Sequence, residues 1–373
     1  MLFKDFHGLQ LSALGLGCMR FPTLDGDDGQ IDEAKASEIV RCAMEAGVNY
    51  YDTAWAYHKG QSEPLMGRIL SAYPRESFCL ASKFPGYSAE NLARKEEIFA
   101  AQLERCRTEY FDFYLFHNVS NDTIGAYLDP KYGIIDFLRA QKRAGRIRHL
   151  GFSTHGSLET VMRFLAAFPE AEFCQIQLNY MDWTFQRAKD KVALLRERGI
   201  PIWVMEPVRG GRLAALDDSL AARLRALRPE ESIPAWAFRF LQGIDGIGMV
   251  LSGMSDLDQL RGNIATMSES RPLSAQECET LLNVAQELCR RTAVPCTACH
   301  YCVEKCPQNL DIPALLALFN AQLNGEDAAQ RIAALPEDRR PQSCRACRSC
   351  EKVCPQGIRI SAVLGQFSHL LHG

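Results

Sequence analysis

The chain has 373 residues, with 45 acidic against 42 basic side chains and a formal net charge of −3. That balance removes the electrostatic reason to expect nucleic acid or an anionic membrane as a partner. No run reaches the roughly 18 apolar residues that a membrane helix requires. The first residues, Met-Leu-Phe-Lys-Asp, lack a charged leader followed by an apolar core, so a cytoplasmic protein is expected. A chain of this length is expected to form two domains.

Phe3-Lys-Asp-Phe6 and Leu9-Gln-Leu-Ser12, joined through His7-Gly8, read as a hairpin. From there strand and helix patterns alternate. Residues 14–19 read as strand and 32–46 as helix, with Ile39, Val40, Ala43 and Met44 at helical spacing and Gly47 as its stop. Further strands are predicted at 48–52, 78–83, 113–117, 147–153, 173–179, 200–205 and 246–251. Helices are predicted at 62–73, 90–108, 134–144, 157–167, 186–198, 218–242 and 256–267. Eight strands and eight helices in about 267 residues is the size and alternation of a TIM (β/α)8 barrel in the α/β class. A doubly wound open sheet would carry a glycine fingerprint between its first strand and first helix. Gly15-Leu-Gly17 is too short and lies within the strand, so these glycines read as close-packing positions.

Three strand ends carry chemistry. Asn49-Tyr-Tyr-Asp-Thr-Ala-Trp-Ala-Tyr57 ends a strand in Asp52 and sets Tyr57 on the following loop; Leu80-Ala-Ser-Lys83 closes on a lysine, and Phe113-Tyr-Leu-Phe-His117 on a histidine. Parallel barrels keep their active sites at these carboxyl ends. Reducing a ketone by hydride puts negative charge on its oxygen, so a proton donor must stand within hydrogen-bond reach. Tyr57 suits that task if the Lys83 ammonium lowers its pKa from the ordinary phenol value near 10. Asp52 would hold the lysine, and His117 would orient the carbonyl. Singly, each has an ordinary structural reading as helix cap, loop aromatic, rim charge or core-edge imidazole; all four together favour the chemical one.

In this order, on a barrel with a leading hairpin, Asp52, Tyr57, Lys83 and His117 resemble the catalytic tetrad of the aldo-keto reductase family, over roughly residues 1–267. The resemblance implies an oxidoreductase exchanging hydride between NADP(H) or NAD(H) and a small carbonyl or alcohol. Gln175, Gln177 and Asn179 alternate with apolar residues and so face one side of their strand. The resemblance gives Ser153 and Gln175 to the nicotinamide carboxamide, while an interior hydrogen-bond ladder is the structural reading of the row. Glu206-Pro-Val-Arg-Gly-Gly-Arg212, with Gly210 and Gly211, resembles the family loop over the cofactor pyrophosphate. The segment with Gly253, Gln259 and Asn263 resembles the one that holds the adenosine half. The chain departs from the family pattern at Met205, where a stacking aromatic ring is common, and at His58, where glycine is common. Met254-Ser255-Asp256 stands where a basic residue often meets the 2′-phosphate, which leaves NADP versus NAD open.

Eight of the 15 cysteines lie between Cys296 and Cys354, in two copies of one spacing: Cys296, Cys299, Cys302, Cys306-Pro and Cys344, Cys347, Cys350, Cys354-Pro. Each copy is the bacterial ferredoxin run for a 4Fe-4S cluster, in which the fourth cysteine serves the other cluster. Cys296, Cys299, Cys302 and Cys354 are therefore assigned to one cluster, and Cys344, Cys347, Cys350 and Cys306 to the second. Zinc is the chemical alternative for Cys-x2-Cys pairs. The other seven cysteines read as small buried apolar residues. The 37-residue spacer at 307–343, with an apolar helical stretch, resembles helical ferredoxin domains. The expected division is a barrel over 1–273 and, over 274–373, a joining helix with a small, mainly α-helical, ferredoxin-like domain. From residue 276 onward ten acidic and ten basic residues balance, so by count the tail offers a partner no strong field.

A hydride carries two electrons and each cluster passes one, so the halves need an intermediary: a bound flavin, or a substrate that stabilises a radical. A ferredoxin or other redox protein is the expected outside partner. The competing reading is an electron-transfer or redox-sensing protein whose barrel binds a ligand without turnover.

Overall fold

A computed structural model describes residues 1–372 of the chain. It divides into two compact units, Met1–Pro207 with Glu230–Gln276, and Val208–Pro229 with Glu277–Gly373. Neither unit is a single stretch of sequence.

In the first unit, β1 (Phe3–Phe6) and β2 (Leu9–Ser12) pair antiparallel, with Phe6 opposite Leu9. Eight parallel strands follow: β3 (Leu14–Gly17), β4 (Tyr50–Asp52), β5 (Cys79–Phe84), β6 (Phe111–Phe116), β7 (Ile147–Thr154), β8 (Cys174–Gln177), β9 (Ile202–Met205) and β10 (Ile247–Ser252). They close into a barrel in the order β10-β3-β4-β5-β6-β7-β8-β9. Strands buried on both faces read as continuous apolar runs rather than as alternation. In β6 the sequence Phe-Asp-Phe-Tyr-Leu-Phe is buried at every position.

The hairpin closes one mouth of this barrel. Phe6 packs on Phe113 at 5.4 Å, Trp203 at 5.0 Å and His149 at 5.0 Å between ring centroids, in a cluster shared with Tyr50 and Phe173. Tyr50 and Phe113 stand two and four residues before Asp52 and His117. The aromatic floor thus belongs to the amino ends of the strands, and the tetrad positions to the opposite ends.

Several boundaries differ from those expected. The long helix predicted over 218–242 is two helices, Asp218–Arg225 and Ile233–Gln242. Pro229 cannot continue the first, and Ser232 caps the second, with Pro234 in its first turn. The helix predicted over 90–108 likewise breaks at Arg94, between Ala89–Ala93 and Lys95–Arg105. β8 is shorter than expected, because Asn179 turns its side chain onto the amides of Met181 and Asp182. Among the described residues no helix is long and apolar enough to cross a membrane.

The second unit has its own core. Helix Ile312–Leu323 contributes Ile312, Leu315, Leu316 and Phe319, and helix Ile360–His372 contributes Ile360, Leu364 and Phe367. The buried Asn320 amide clamps the backbone just before the first cysteine: its Nδ2 donates to the Val294 carbonyl at 2.9 Å and its Oδ1 accepts from the Val294 N–H at 2.8 Å. The segment Val208–Pro229 packs into the same unit. Arg209 is fully buried and donates to the carbonyls of Pro295 at 3.2 Å and Cys296 at 3.4 Å. At Gly210, with φ of +64°, a Cβ would stand 2.0 Å from the Thr297 carbonyl oxygen. Only glycine fits there, for both its conformation and its space.

Gly210→Ala is therefore expected to destabilise the second unit by about 1–3 kcal/mol, seen as a lower unfolding midpoint and faster proteolysis within 208–229. Gly211→Ala is the comparison, since no heavy atom lies within 4 Å of its Cβ position and only its φ of +96° opposes the change. It should cost less.

Candidate active site and cysteine sites

Lys83, on β5, points into the carboxyl end of the barrel with no solvent exposure. Its ammonium makes three hydrogen bonds: to Asp52 Oδ1 at 2.5 Å, to the Thr53 carbonyl at 2.8 Å and to the Tyr57 hydroxyl at 3.1 Å. Asp52 is the last residue of β4, which pairs with β5 so that Asp52 stands opposite Ala81. Tyr57 opens a 3-10 turn and is 7 % exposed. The His117 ring lies edge-on to the Tyr57 ring, 5.9 Å between centroids at 82°. His117 follows β6 by one residue rather than ending it. The four residues from three strand ends therefore form one group.

Their electrostatics follow from burial. Desolvation pushes the Asp52 carboxyl above the usual carboxylate range, and the Lys83 ammonium opposes that shift. Burial, with Lys83 and His155 adding, holds the His117 imidazole well below its ordinary value. His117 is then neutral near pH 7, with one ring N–H to give. Among the described residues, His117 Nδ1 and Asp52 Oδ2 have no hydrogen-bond partner.

Behind Lys83 lies a network that the sequence did not announce. Glu63, fully buried, accepts from Ser82 Oγ and Gln102 Nε2, both at 2.6 Å. Gln102 also donates to the Lys83 carbonyl at 3.1 Å and accepts from the Tyr114 hydroxyl at 2.5 Å. The Tyr127 hydroxyl meets the carbonyls of Phe84 at 3.0 Å and His117 at 2.7 Å. These bonds fix the backbone that carries the lysine and the histidine. His58, after Tyr57, is buried at φ of 52°, and its Nε2 accepts from the Phe21 N–H at 3.2 Å. It ties the loop after β3 to the tyrosine turn.

The carboxamide row divides. Gln177 is engaged on both sides, by His155 at 3.1 Å and Asp182 at 2.7 Å. Asn179 bonds Asp182, the Glu206 carbonyl and two amides. These two form an interior ladder around the buried Asp182. Gln175 differs: its Nε2 meets only the Met205 sulfur, at 3.7 Å, and its buried Oε1 has no partner among the described residues. An unsatisfied buried amide is what a nicotinamide carboxamide would complete, so this part of the site fits that group. Ser153 Oγ already accepts from the Asn118 N–H at 2.8 Å. Gln259 is bound within its own turn to Asp256 and Ser255, and Asn263 donates to Ser252 Oγ at 3.2 Å. Gly253 lies under Arg20, whose Cγ would be 2.7 Å from a Cβ there. Gly210 and Gly211 belong to the second unit.

In the second unit the two cysteine runs adopt one backbone shape. Ala298 and His300 have φ of +50° and +64°, and the matching Ala346 and Arg348 have +52° and +60°. Repeated left-handed positions in non-glycine residues carry strain that a bound group can justify. Cys306, Cys344, Cys347 and Cys350 line one cavity. Burial, then Cys299, Cys296, Cys354 and Cys350, pushes the Cys302 thiol up. Burial pushes Cys350 up to about 11, with Glu351, Cys344 and Cys306 adding. Cys306 of the first run thus shares a cavity with three cysteines of the second. Crowded, buried thiols are costly to ionise unless a bound cation compensates, and backbone N–H groups already point at sulfur, as from Ala298 to Cys296 Sγ at 3.4 Å. In residue type the two cysteine runs suit iron-sulfur clusters, while among the described residues no three Cys, His, Asp or Glu side chains are gathered tightly enough to hold a metal ion.

Comparison with known proteins agrees with this geometry. The profile of the Aldo/keto reductase family matches residues 13–285, and that of the 4Fe-4S dicluster domain matches residues 295–358. A probable aldo-keto reductase 1 of Glycine max is 27% identical over 213 residues, 55% of this chain and 58% of that protein. The chain thus spans little more than half of that relative's length. The uncharacterized oxidoreductase YqkF of Bacillus subtilis (strain 168) is 25% identical over 73% of this chain and 92% of its own length. The NADH-specific methylglyoxal reductase of Escherichia coli (strain K12) is 23% identical over 70% and 91%. Among solved structures, the holo form of aldo-keto reductase AKR11C1 from Bacillus halodurans superposes with a TM-score of 0.58 at 25% identity, covering 74% of this chain and 93% of that one.

The buried imidazole makes a pH prediction. His117 resists protonation in the folded chain, while an unfolded histidine gains a proton below about 6.5. Below that pH the unfolded state binds more protons, so this contribution to stability falls as pH falls. Between pH 7.5 and pH 5 the wild type should lose more stability than His117→Gln does. Urea unfolding followed by tryptophan fluorescence checks this, because all 4 tryptophans lie in the barrel unit.

Proposed function

The chain belongs to the aldo/keto reductase family, and on that premise we propose that this oxidoreductase reduces a small carbonyl compound, or oxidises the matching alcohol, with NAD(P)H in the barrel, linked to one-electron exchange through its 4Fe-4S domain. The observation that carries the reading is the Lys83 ammonium, fully buried and bonded at once to Asp52 and to the Tyr57 hydroxyl. A bound nicotinamide supplies the hydride. Tyr57 gives its proton to the oxygen that becomes the alcohol. Lys83 favours the phenolate left behind and so makes the phenol a stronger acid. Asp52 keeps the lysine charged and aimed. Neutral His117 offers a ring N–H to the carbonyl oxygen and fixes its direction. Gln175, with its unfilled acceptor, and Ser153 are assigned to the nicotinamide carboxamide; Gln177 and Asn179 support that wall from behind. Gly253, Gln259 and Asn263 are assigned to the adenosine half.

Two 4Fe-4S clusters are proposed, one on Cys296, Cys299, Cys302 and Cys354, the other on Cys306, Cys344, Cys347 and Cys350. Held there, such clusters would supply one-electron transfer to a ferredoxin-like partner. A bound flavin or a radical-stabilising substrate is assigned to the junction between two-electron and one-electron chemistry, and anaerobic purification with cofactor extraction identifies which.

Tyr57→Phe should lower kcat/KM for a panel of aldehydes and quinones by about 10²–10⁴-fold while NAD(P)H binding by fluorescence is kept. Unchanged turnover would remove the phenol from the reaction. In Cys299→Ser the visible absorbance of one cluster should be lost. Carbonyl reduction driven by NAD(P)H should continue, and its loss in a folded variant would place that cluster in the hydride reaction itself.

A further inference from the structure

The tail balances its charges by count but not in space. The cavity ringed by Cys306, Cys344, Cys347 and Cys350 is also lined by Lys305, Arg345 and Arg348, and no carboxylate lines it. Arg348 is paired with Glu351 at 2.9 Å. Lys305 and Arg345 are exposed and, among the described residues, form no ion pair. Lys352 and Arg359, also exposed, extend the same sign along the chain beyond the cavity. Glu304, beside Lys305, and Asp311 are the acids at its margin; most others of this unit lie at 217–218, in helix Ala275–Arg290 and at 326–327 and 337–338. Cys347 is the exposed cysteine of the eight. In the other set, by contrast, the backbone at 295–297 is covered by Arg209 and Gly210.

We propose that the face around Cys347, with Lys305 and Arg345 as its collar, docks a small acidic one-electron carrier protein. The inference rests on the reading above that this cysteine set holds a cluster. Three considerations select the occupant. A redox centre exchanges electrons where its ligands reach the surface, and here Cys347 does. A collar of one sign steers a partner of the other sign and fixes its orientation. Weak redox encounters use small, charged contacts rather than broad apolar ones, and the exposed residues at this mouth are charged or small. The pairing is one of docking; each encounter passes one electron between the carrier and the cluster, so the carrier is the co-reactant.

The test uses the full-length holoprotein, purified without oxygen, with an acidic flavodoxin as probe and a basic cytochrome c as the charge control. Calorimetric titration should show flavodoxin binding that weakens at least about tenfold as salt rises from about 0.01 M to about 0.3 M. Lys305→Glu with Arg345→Glu should weaken it by at least about tenfold at low salt with iron and sulfide content unchanged. If that pair fails to assemble its clusters, Lys305→Gln with Arg345→Gln carries the test, with a smaller loss in the same direction. Reversing Arg94 and Arg187, exposed on the barrel unit, should change nothing. Absence of flavodoxin binding, equal binding of cytochrome c, or an affinity indifferent to the collar charges overturns the proposal. So does collar-dependent binding of anionic vesicles or DNA in its place. If docking fails while iron analysis finds both clusters, the docking inference alone falls; a folded chain that takes up no iron overturns the cluster reading beneath it.

Discussion

A lysine ammonium with no access to water needs a complete set of acceptors, and the carboxyl end of this barrel is built around supplying them. Lys83 finds a carboxylate, a carbonyl and a phenol, each from the β4 end or the turn after it. Truncating one member of such a buried pair commonly costs about 3–5 kcal/mol, because the remaining charge is stranded. That penalty restricts what β4 and the following turn can be, and it explains the depth of the supporting polar structure. Glu63, Ser82, Gln102 and Tyr114 hold the lysine's own strand from behind, and Tyr127 holds the next two turns. Precision at the phenol oxygen is thereby inherited from bonds several residues away.

What the sequence disclosed depended on how local each signal was. The barrel was readable because every unit repeats a strand, a turn and a helix, and the four tetrad residues because they stand at or just past strand ends. Glu63 was not. It looks like any helical glutamate, and its partners come from β5 and from the helix at 95–105, so no spacing within one element announces it. Alternation along the carboxamide row gives no sign that its members are unequal. The difference is made by Asp182 and His155, which satisfy Gln177 and Asn179 and leave Gln175 with an open acceptor. The expected helix over 218–242 failed for a local reason that was present all along, in Pro229 and the Ser232 cap.

The cysteine runs were the clearest signal, since two copies of one spacing leave little room for chance. The fold adds that the repeat is conformational as well as chemical: the same two positions in each run are left-handed, and Cys302 and Cys350, equivalent in the two runs, are the pair buried in the core. Charge behaved differently. Ten acids and ten bases in the tail cancel as a count, yet the charged residues that line the cavity of the exposed cysteine are basic, and a tally along a chain carries no information about such sorting.

The second unit borrows residues 208–229 from the middle of the barrel sequence, and this has a bearing on how the molecule came to be assembled. A ferredoxin-like module joined simply end to end could be cut off at its linker to leave an intact smaller protein. Here no single cut separates the two halves, because the segment that shields the backbone around Cys296 is translated some eighty residues before that cysteine, between two strands of the other half. A shortened chain ending before the cysteines would leave the guanidinium of Arg209 without the carbonyls it now binds.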